Sequence, residues 1–151
     1  MSSLEQIRTA LADTVRAYVN SNDEEAGTLY CYPYVKGTVS LPCAMVMPGG
    51  GGRDNKAGDF AMTMNRGTEV WSFQLIVLCS RTDEDSGQQQ LDRFIDKEGE
   101  LSVRQAIWNT SDLGLGDVDA MVTGVSEYHG QYDMVRVPHV GAALQVKVHA
   151  F

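Results

Sequence analysis

The chain has 151 residues, of which 43% are hydrophobic, and it carries a formal net charge of −8 with a pI of about 4.7. This length and hydrophobic content suit one folded domain and exclude a disordered chain. The acidic balance excludes a basic groove that grips a nucleic-acid backbone, but it is compatible with a passive surface past which DNA slides.

Two sequence features bear on cellular location. The longest apolar run, residues 75–79, is far too short to cross a bilayer. The N-terminus mixes polar and apolar residues and lacks the basic start and apolar stretch of a signal peptide. We therefore expect a soluble protein made in the cytosol.

The N-terminal region has the pattern of an amphipathic helix over residues 3–20. Ser3 and Gln6 have the spacing of a capping box at its start. Apolar residues follow at spacings of three and four, which places them on one face: Leu4, Ile7, Leu11, Val15 and Tyr18.

Four strands are predicted next, at 28–35, 40–48, 59–65 and 69–80. Pro33 cannot donate a ladder hydrogen bond, which indicates an edge strand or a bulge. The strand 69–80 alternates with Trp71, Phe73, Leu75, Val77 and Cys79 on one face, and it adds Ile76 and Leu78 on the other. This pattern is typical of a central strand that is partly covered on both sides.

The remaining elements are two helices and two strands. A helix is predicted over 82–99, with Thr82 as its cap and Gly99 at its end, and a second over 101–109, where Ser102 and Gln105 form another capping box. Strands are predicted at 117–130 and 138–150. The last one alternates regularly, so we expect one buried face and one largely polar face.

The order of elements predicts the fold class. Strands are grouped rather than alternating with helices, which favours an α+β fold over a doubly wound one. We expect a mostly antiparallel sheet, with the N-terminal helix and the two-helix segment packed on one face. Residues 1–151 show no internal repeat or linker, so we expect a single domain.

The glycine-rich stretch MPGGGGRDNKAGDF at 47–60 is the strongest candidate for a binding loop. A phosphate-binding loop needs a helix that starts directly after it, and the residues that follow here have a strand pattern. We therefore interpret the stretch as a pliant hairpin tip between the strands 40–48 and 59–65. Such a tip suits contact with a protein partner.

Residues with catalytic or metal-binding potential are present but lack the required spacing. Cys31, Cys43 and Cys79 are expected to be reduced core thiols, although a zinc site shared with His129, His139 or His149 is an alternative. His139 and His149 would lie ~33 Å apart on one strand, too far to share a metal ion.

The carboxylates in and around the second predicted helix fit a helix start and a solvated helix face. They are Asp83, Glu84, Asp85, Asp92, Asp96, Glu98 and Glu100. We assign no catalytic, cofactor-binding or metal-binding residues and expect no enzyme activity and no cofactor.

A set of features between residues 69 and 150 carries a family resemblance. The first is an aromatic-rich strand that ends at Ser80 and Arg81. The second is a helix that starts with Gly87 and Gln88 and contains Leu91 and Asp92. A short helix from Ser102 to Ala106 and Ile107 and the strand VTGV at 122–125 complete the set. In this combination the chain resembles the small tail-terminator proteins of long-tailed, siphovirus-type bacteriophages. The first half of the chain resembles them only in the order of its elements.

The resemblance implies a structural role in the neck region of a virion tail. It implies a homo-oligomeric ring, a hexamer, that caps the major tail tube protein, stops its polymerisation and meets a head-closure or neck protein, while DNA passes through without specific binding. The expected oligomer or tube interface comprises the edge-strand proline and the glycine stretch: Pro33, Pro48, Gly49, Gly50, Gly51, Gly52, Arg53, Asp54 and Asn55.

Two other functions stay open from the sequence. One is a head-closure or neck connector ring, which belongs to the same structural class. The other is a small cytosolic enzyme, with Cys79 or a carboxylate site, or a ligand-binding domain.

Overall fold

The computed structural model describes residues 2–22, 29–49, 57–59, 69–80, 84–132 and 135–151. Three helices and six strands lie in these residues. In chain order they are α1 (Leu4–Asn22), β1 (Tyr30–Tyr32), β2 (Cys43–Pro48), β3 (Gly58–Asp59), β4 (Glu69–Ser80), α2 (Glu84–Ile95), α3 (Val103–Asn109), β5 (Val118–Gly130) and β6 (His139–Ala150).

The strands form one sheet in the order β1-β2-β4-β6-β5. The short strand β3 pairs with the same edge of β4 as β2 does. β1 pairs with β2 in parallel, and every other pairing is antiparallel. The predicted α+β class with a mostly antiparallel sheet is therefore confirmed. β1 lies at one edge of the sheet, as Pro33 indicated, and β5 lies at the other.

The main core lies between the three helices and one face of the sheet. α1 contributes Ile7 and Leu11, α2 contributes Leu91 and Phe94, and α3 contributes Ile107. The sheet side of this core includes the predicted face of β4, from Phe73 to Cys79. All three helices thus pack on one face, as expected from their apolar stripes.

A smaller core covers part of the opposite face. Ile76 and Leu78 of β4 pack there with Met45 of β2 and with Tyr132 and Val135 from the segment before β6. β4 is therefore covered on both sides toward its end, which confirms its predicted central position.

This second core corrects the expectation for β6. Lys147 is exposed on the second face of this strand, but Gly141 and Ala143 on the same face are buried. A Cβ atom at Gly141 would lie 2.7 Å from the Val77 carbonyl oxygen and 3.2 Å from the Tyr132 ring. The first half of β6 is thus buried on both faces because Tyr132 closes over it.

The glycine stretch is not the tip of a hairpin between its flanking strands. Pro48 lies opposite Phe73 and Gly58 lies opposite Trp71, so β2 and β3 pair with the same edge of β4 and run in the same direction. The chain advances ten residues from Pro48 to Gly58 while β4 advances two. Within the described residues, β2 and β3 therefore follow one another along one edge of β4 and do not form a hairpin with each other.

Several element boundaries differ from the expected ones. β1 is shorter than predicted and ends at Tyr32, directly before Pro33. α2 ends at Ile95, because the four residues that follow are all exposed and offer no apolar side chain to the core. Thr82, the expected cap of α2, and residues 60–65 of the expected third strand lie outside the described part of the chain.

Candidate interaction surfaces

The outer edge of β1 is covered by polar side chains of α1. Asn20 donates from Nδ2 to the Leu29 carbonyl oxygen at 3.2 Å and accepts at Oδ1 from the Leu29 N–H at 2.9 Å. One turn earlier, the Arg16 guanidinium donates to the Cys31 carbonyl oxygen. Such outward groups of an edge strand are normally available to another strand. Here α1 supplies the hydrogen bonds instead.

Arg8 extends this cover beyond the end of β1. Its Nε donates to the Pro33 carbonyl oxygen at 2.8 Å, and its Nη2 donates to the Val46 carbonyl oxygen at 2.9 Å. Burial lowers the pKa of Arg8, and the neighbouring Tyr34 acts in the opposite direction. Pro33, an expected interface residue, thus has its carbonyl occupied by the protein's own first helix.

A basic, aromatic surface adjoins this point. Tyr34, Val35 and Lys36 are exposed, and the Arg8 guanidinium lies 4.3 Å from the centroid of the Tyr34 ring. Lys36 is the only charged residue in the sequence from 29 to 49. We refer to Arg8, Tyr34, Val35 and Lys36 as the basic patch.

The outer edge of β5 is covered near its start by the segment that precedes the strand. The Ala120 N–H donates to the Ser111 carbonyl oxygen at 2.7 Å. Because outward-facing backbone groups recur at every second residue, those of Val122 point to the same side. Among the described residues, β6 is the one strand that pairs with β5. Within the described part of the chain, the β5 edge is therefore more open to another polypeptide than the β1 edge.

Trp108 lies beside this edge and is 81% exposed. α3 buries Val103, Ala106 and Ile107, and Trp108 falls outside this stripe. A groove of about 440 Å³ separates α3 from β5, with Ile107, Trp108 and Met121 among its lining residues. The indole thus forms one wall of a groove at the sheet edge that is lined by both apolar and charged side chains.

Ser102 fixes the start of α3. Its Oγ accepts from the Gln105 N–H at 3.0 Å and donates to the Asp96 carbonyl oxygen. The predicted capping box is therefore half formed, because the Gln105 side chain instead donates to Asn109 Oδ1 at 2.6 Å. The box at α1 is complete, with the Ser3 N–H donating to Gln6 Oε1 at 2.8 Å and the Gln6 N–H donating to Ser3 Oγ at 3.2 Å.

The far end of β5 has a third exposed surface, of opposite charge to the basic patch. Val125, Glu127 and Tyr128 are exposed, and the Tyr128 hydroxyl donates to Oδ1 of Asp92 on α2. Residues 117–130 contain three carboxylates and no lysine or arginine. We refer to Asp92, Val125, Glu127 and Tyr128 as the acidic patch.

The two patches lie at the same height on opposite edges of the sheet. Tyr32 pairs with Met45, Met45 with Ile76, Ile76 with Ala143, and Ala143 with Ser126. The residues directly before the basic patch are therefore level with those of the acidic patch. Four strand spacings separate the two edges by ~19 Å.

The expected interface residues of the glycine stretch are only partly described. Pro48 is exposed at the end of β2. Gly49 is buried, with a φ of 106°, and its N–H donates to the Ser72 carbonyl oxygen at 2.9 Å. Gly50, Gly51, Gly52, Arg53, Asp54 and Asn55 lie outside the described residues, and their role stays a prediction.

The three cysteines are buried and unpaired. Burial raises the pKa of each thiol to about 12. The thiols are therefore protonated at neutral pH, and a protonated thiol is a poor nucleophile. This environment gives no support to Cys79 as a catalytic residue.

His139 is buried and uses both ring nitrogens within the fold. Nε2 accepts from the Tyr132 N–H at 2.9 Å, so Nδ1 carries the proton that is donated to the Val137 carbonyl oxygen at 2.7 Å.

Within the described residues, no group of three or more histidine, cysteine, aspartate or glutamate side chains could hold a metal ion. The expected carboxylates from Asp85 to Glu100 are exposed. Asp83 and the side chains of Glu84 and His129 lie outside the described part of the chain.

No family model matches the chain, and neither does any curated protein. Of the helices in the described residues, none combines the length and apolarity needed to cross a membrane.

Proposed function

We propose that the chain is a structural ring protein of the tail-terminator type. Identical subunits, six in the ring, would cap the tail tube of a long-tailed phage, end its polymerisation and present a surface to the head-closure protein. The protein would then reside in the neck region of the virion tail, with DNA passing through the ring. The net charge of −8 would keep phosphate groups from adhering to it.

The observation that carries this proposal is the open β5 edge with Trp108 beside it. An indole that is 81% exposed is unfavourable in water, and tryptophan is enriched in the buried centres of protein interfaces. An uncovered strand edge favours pairing with another chain. Together they support a function performed by binding other proteins.

Several residues of the sequence resemblance lie in elements on this side of the fold. Leu91 anchors α2 in the core, while the adjacent Asp92 bonds to Tyr128 of β5. Ala106 and Ile107 bury α3 and so turn Trp108 outward. The VTGV segment at 122–125 is part of the edge strand itself. Part of the resemblance therefore lies in the elements that build the candidate surface.

Electron microscopy of particles assembled without the protein tests the proposal. In the phage that encodes the chain, loss of the protein should give tail tubes of uncontrolled, excessive length. Tubes of normal length that fail to join heads would assign the chain to the neck instead. Normal, joined particles would refute both roles.

Complementation with point variants connects the function to the surface. Trp108→Arg should fail to restore tube length, because a charge replaces the indole at the groove. Val137→Arg, at an exposed position on the other side of the sheet, is the matched control and should restore it. Equal restoration by both variants would argue against this surface.

A further inference from the structure

We infer that neighbouring subunits associate head to tail, with the basic patch of one copy against the acidic patch of the next. This inference rests on the proposed self-association and identifies the surfaces that make it. The occupant of each patch is thus a second copy of the chain.

Charge complementarity is the first argument. Arg8 and Lys36 give the β1 side a positive surface, and Lys36 has no charged neighbour within residues 29–49. Glu127 and Asp92 give the β5 side a negative surface. The positive surface of one copy attracts the negative surface of another copy, whereas two surfaces of like charge repel each other.

Placement is the second argument. The cross-strand registers put Tyr32 level with Ser126, so the patches lie at one height on opposite edges. An interface between two different surfaces of the same chain is heterologous, and heterologous contacts generate rings when the rotation closes. A twofold dimer, by contrast, needs one self-complementary surface.

The two edges also differ in backbone accessibility. The Cys31 and Pro33 carbonyls at the β1 edge already accept from Arg16 and Arg8. Simple strand-to-strand pairing is thus blocked on that side. The contact is therefore made by side chains, with Tyr34 and Val35 packing against Val125 and Tyr128.

A mixing experiment with the full chain tests this geometry. The basic-patch variant carries Tyr34→Ser and Lys36→Ser, and the acidic-patch variant carries Val125→Ser and Glu127→Ser. Each retains one intact patch. The control carries Arg136→Ser and Val137→Ser, which likewise remove one exposed apolar side chain and one exposed charge.

Sedimentation velocity up to about 1 mM protein gives the readout, a concentration that detects even weak contacts. The wild type and the control should form higher oligomers, and each patch variant alone should stay monomeric. An equimolar mixture of the two variants should form a dimer of one copy each, because only one intact interface is available. Urea unfolding of each variant establishes that it is folded.

Three results would overturn the inference. They are a wild type that is monomeric throughout, a patch variant that assembles like the wild type, and a mixture that forms no dimer. None of them affects the tube-length test, since a tube end could recruit monomers through other surfaces. Failure of the interface and failure of the proposed function are thus distinguishable.

Charge reversal provides an independent measurement. Lys36→Glu or Glu127→Lys alone should weaken association about tenfold by placing like charges in contact. A chain with both substitutions should recover most of this loss, because the pair is restored with reversed sign. A double variant as weak as the product of the two single effects would contradict direct contact.

Discussion

Asn20 of α1 pairs with both backbone groups of Leu29, donating to its carbonyl oxygen and accepting from its N–H. This is the pairing that a neighbouring strand would make. We expect Asn20→Ala to lower the free energy of unfolding by about 1–3 kcal/mol, because it leaves the two groups without partners. Asn20→Asp should be at least as destabilising above pH ~4, since a carboxylate oxygen then faces the Leu29 carbonyl.

Urea unfolding monitored by circular dichroism measures both variants. Thr9→Ala, at an exposed position of the same helix, is the control and should change the stability by less than ~0.5 kcal/mol. Similar midpoints for Asn20→Ala and Thr9→Ala would mean that the amide contributes nothing to the edge.

The pairing of Asn20 with Leu29 could not be predicted from the sequence. The stripe of α1 and the alternation of β4 follow from local spacing, and both were predicted from it. Which strand edge the polar side of α1 covers depends on how helix and sheet meet in space. No local spacing encodes that contact, so the cover over β1 was not expected.

The glycine stretch illustrates the same limit for register. Two strand patterns flanking four glycines suggest a hairpin, since a hairpin is the commonest local connection. The structure instead pairs both flanks with the same edge of β4. Trp108 is different, because it comes directly after Ile107 and lies off the helix face that Val103, Ala106 and Ile107 bury. Its outward direction could have been predicted from helical spacing alone.

Gly87 allows α2 to approach the end of β4. A Cβ atom at this position would overlap the Ser80 carbonyl oxygen, which is backbone and cannot rotate away. We expect Gly87→Ala to destabilise the protein by about 1–3 kcal/mol through overpacking. Gly124→Ala is the control, because a Cβ atom there meets nothing within 4 Å.

Thermal unfolding of the two alanine variants distinguishes steric from conformational effects. Gly124→Ala should leave the midpoint unchanged or raise it slightly, since alanine restricts the unfolded chain. If both variants lose the same stability, the close approach of α2 to β4 is not the reason that position 87 needs glycine.

Trp108 should be dispensable for folding. Because the indole is 81% exposed, Trp108→Ala should change the free energy of unfolding by less than ~0.5 kcal/mol. Phe94→Ala provides the contrast, since that ring is buried in the core and its loss should cost about 3–5 kcal/mol. Denaturant unfolding of both variants, alongside the tube-length assay, separates a binding role from a structural one. A large loss of stability in Trp108→Ala would favour the structural role.

The buried thiols should make the protein sensitive to alkaline pH. Burial raises the pKa of Cys31, Cys43 and Cys79 from 9.0 to about 12 in the folded chain. Between these values the unfolded chain binds fewer protons than the folded chain, so the free energy of unfolding falls as pH rises. The thiol contribution is fully present below pH 9 and is lost progressively up to pH 12. Each thiol adds a slope of at most about 1.4 kcal/mol per pH unit.

Cys79→Ala isolates the contribution of one thiol. Its urea-derived stability should fall less steeply above pH 9 than that of the wild type, at constant ionic strength. Val77→Ala, which truncates a fully buried neighbour in β4, should be less stable at every pH but keep the wild-type slope. Native-state alkylation at pH 8 provides a second readout, because a protonated, buried thiol reacts only when the chain opens. Rapid alkylation of Cys79 in the folded protein would contradict the raised pKa and would reopen the possibility of a catalytic thiol.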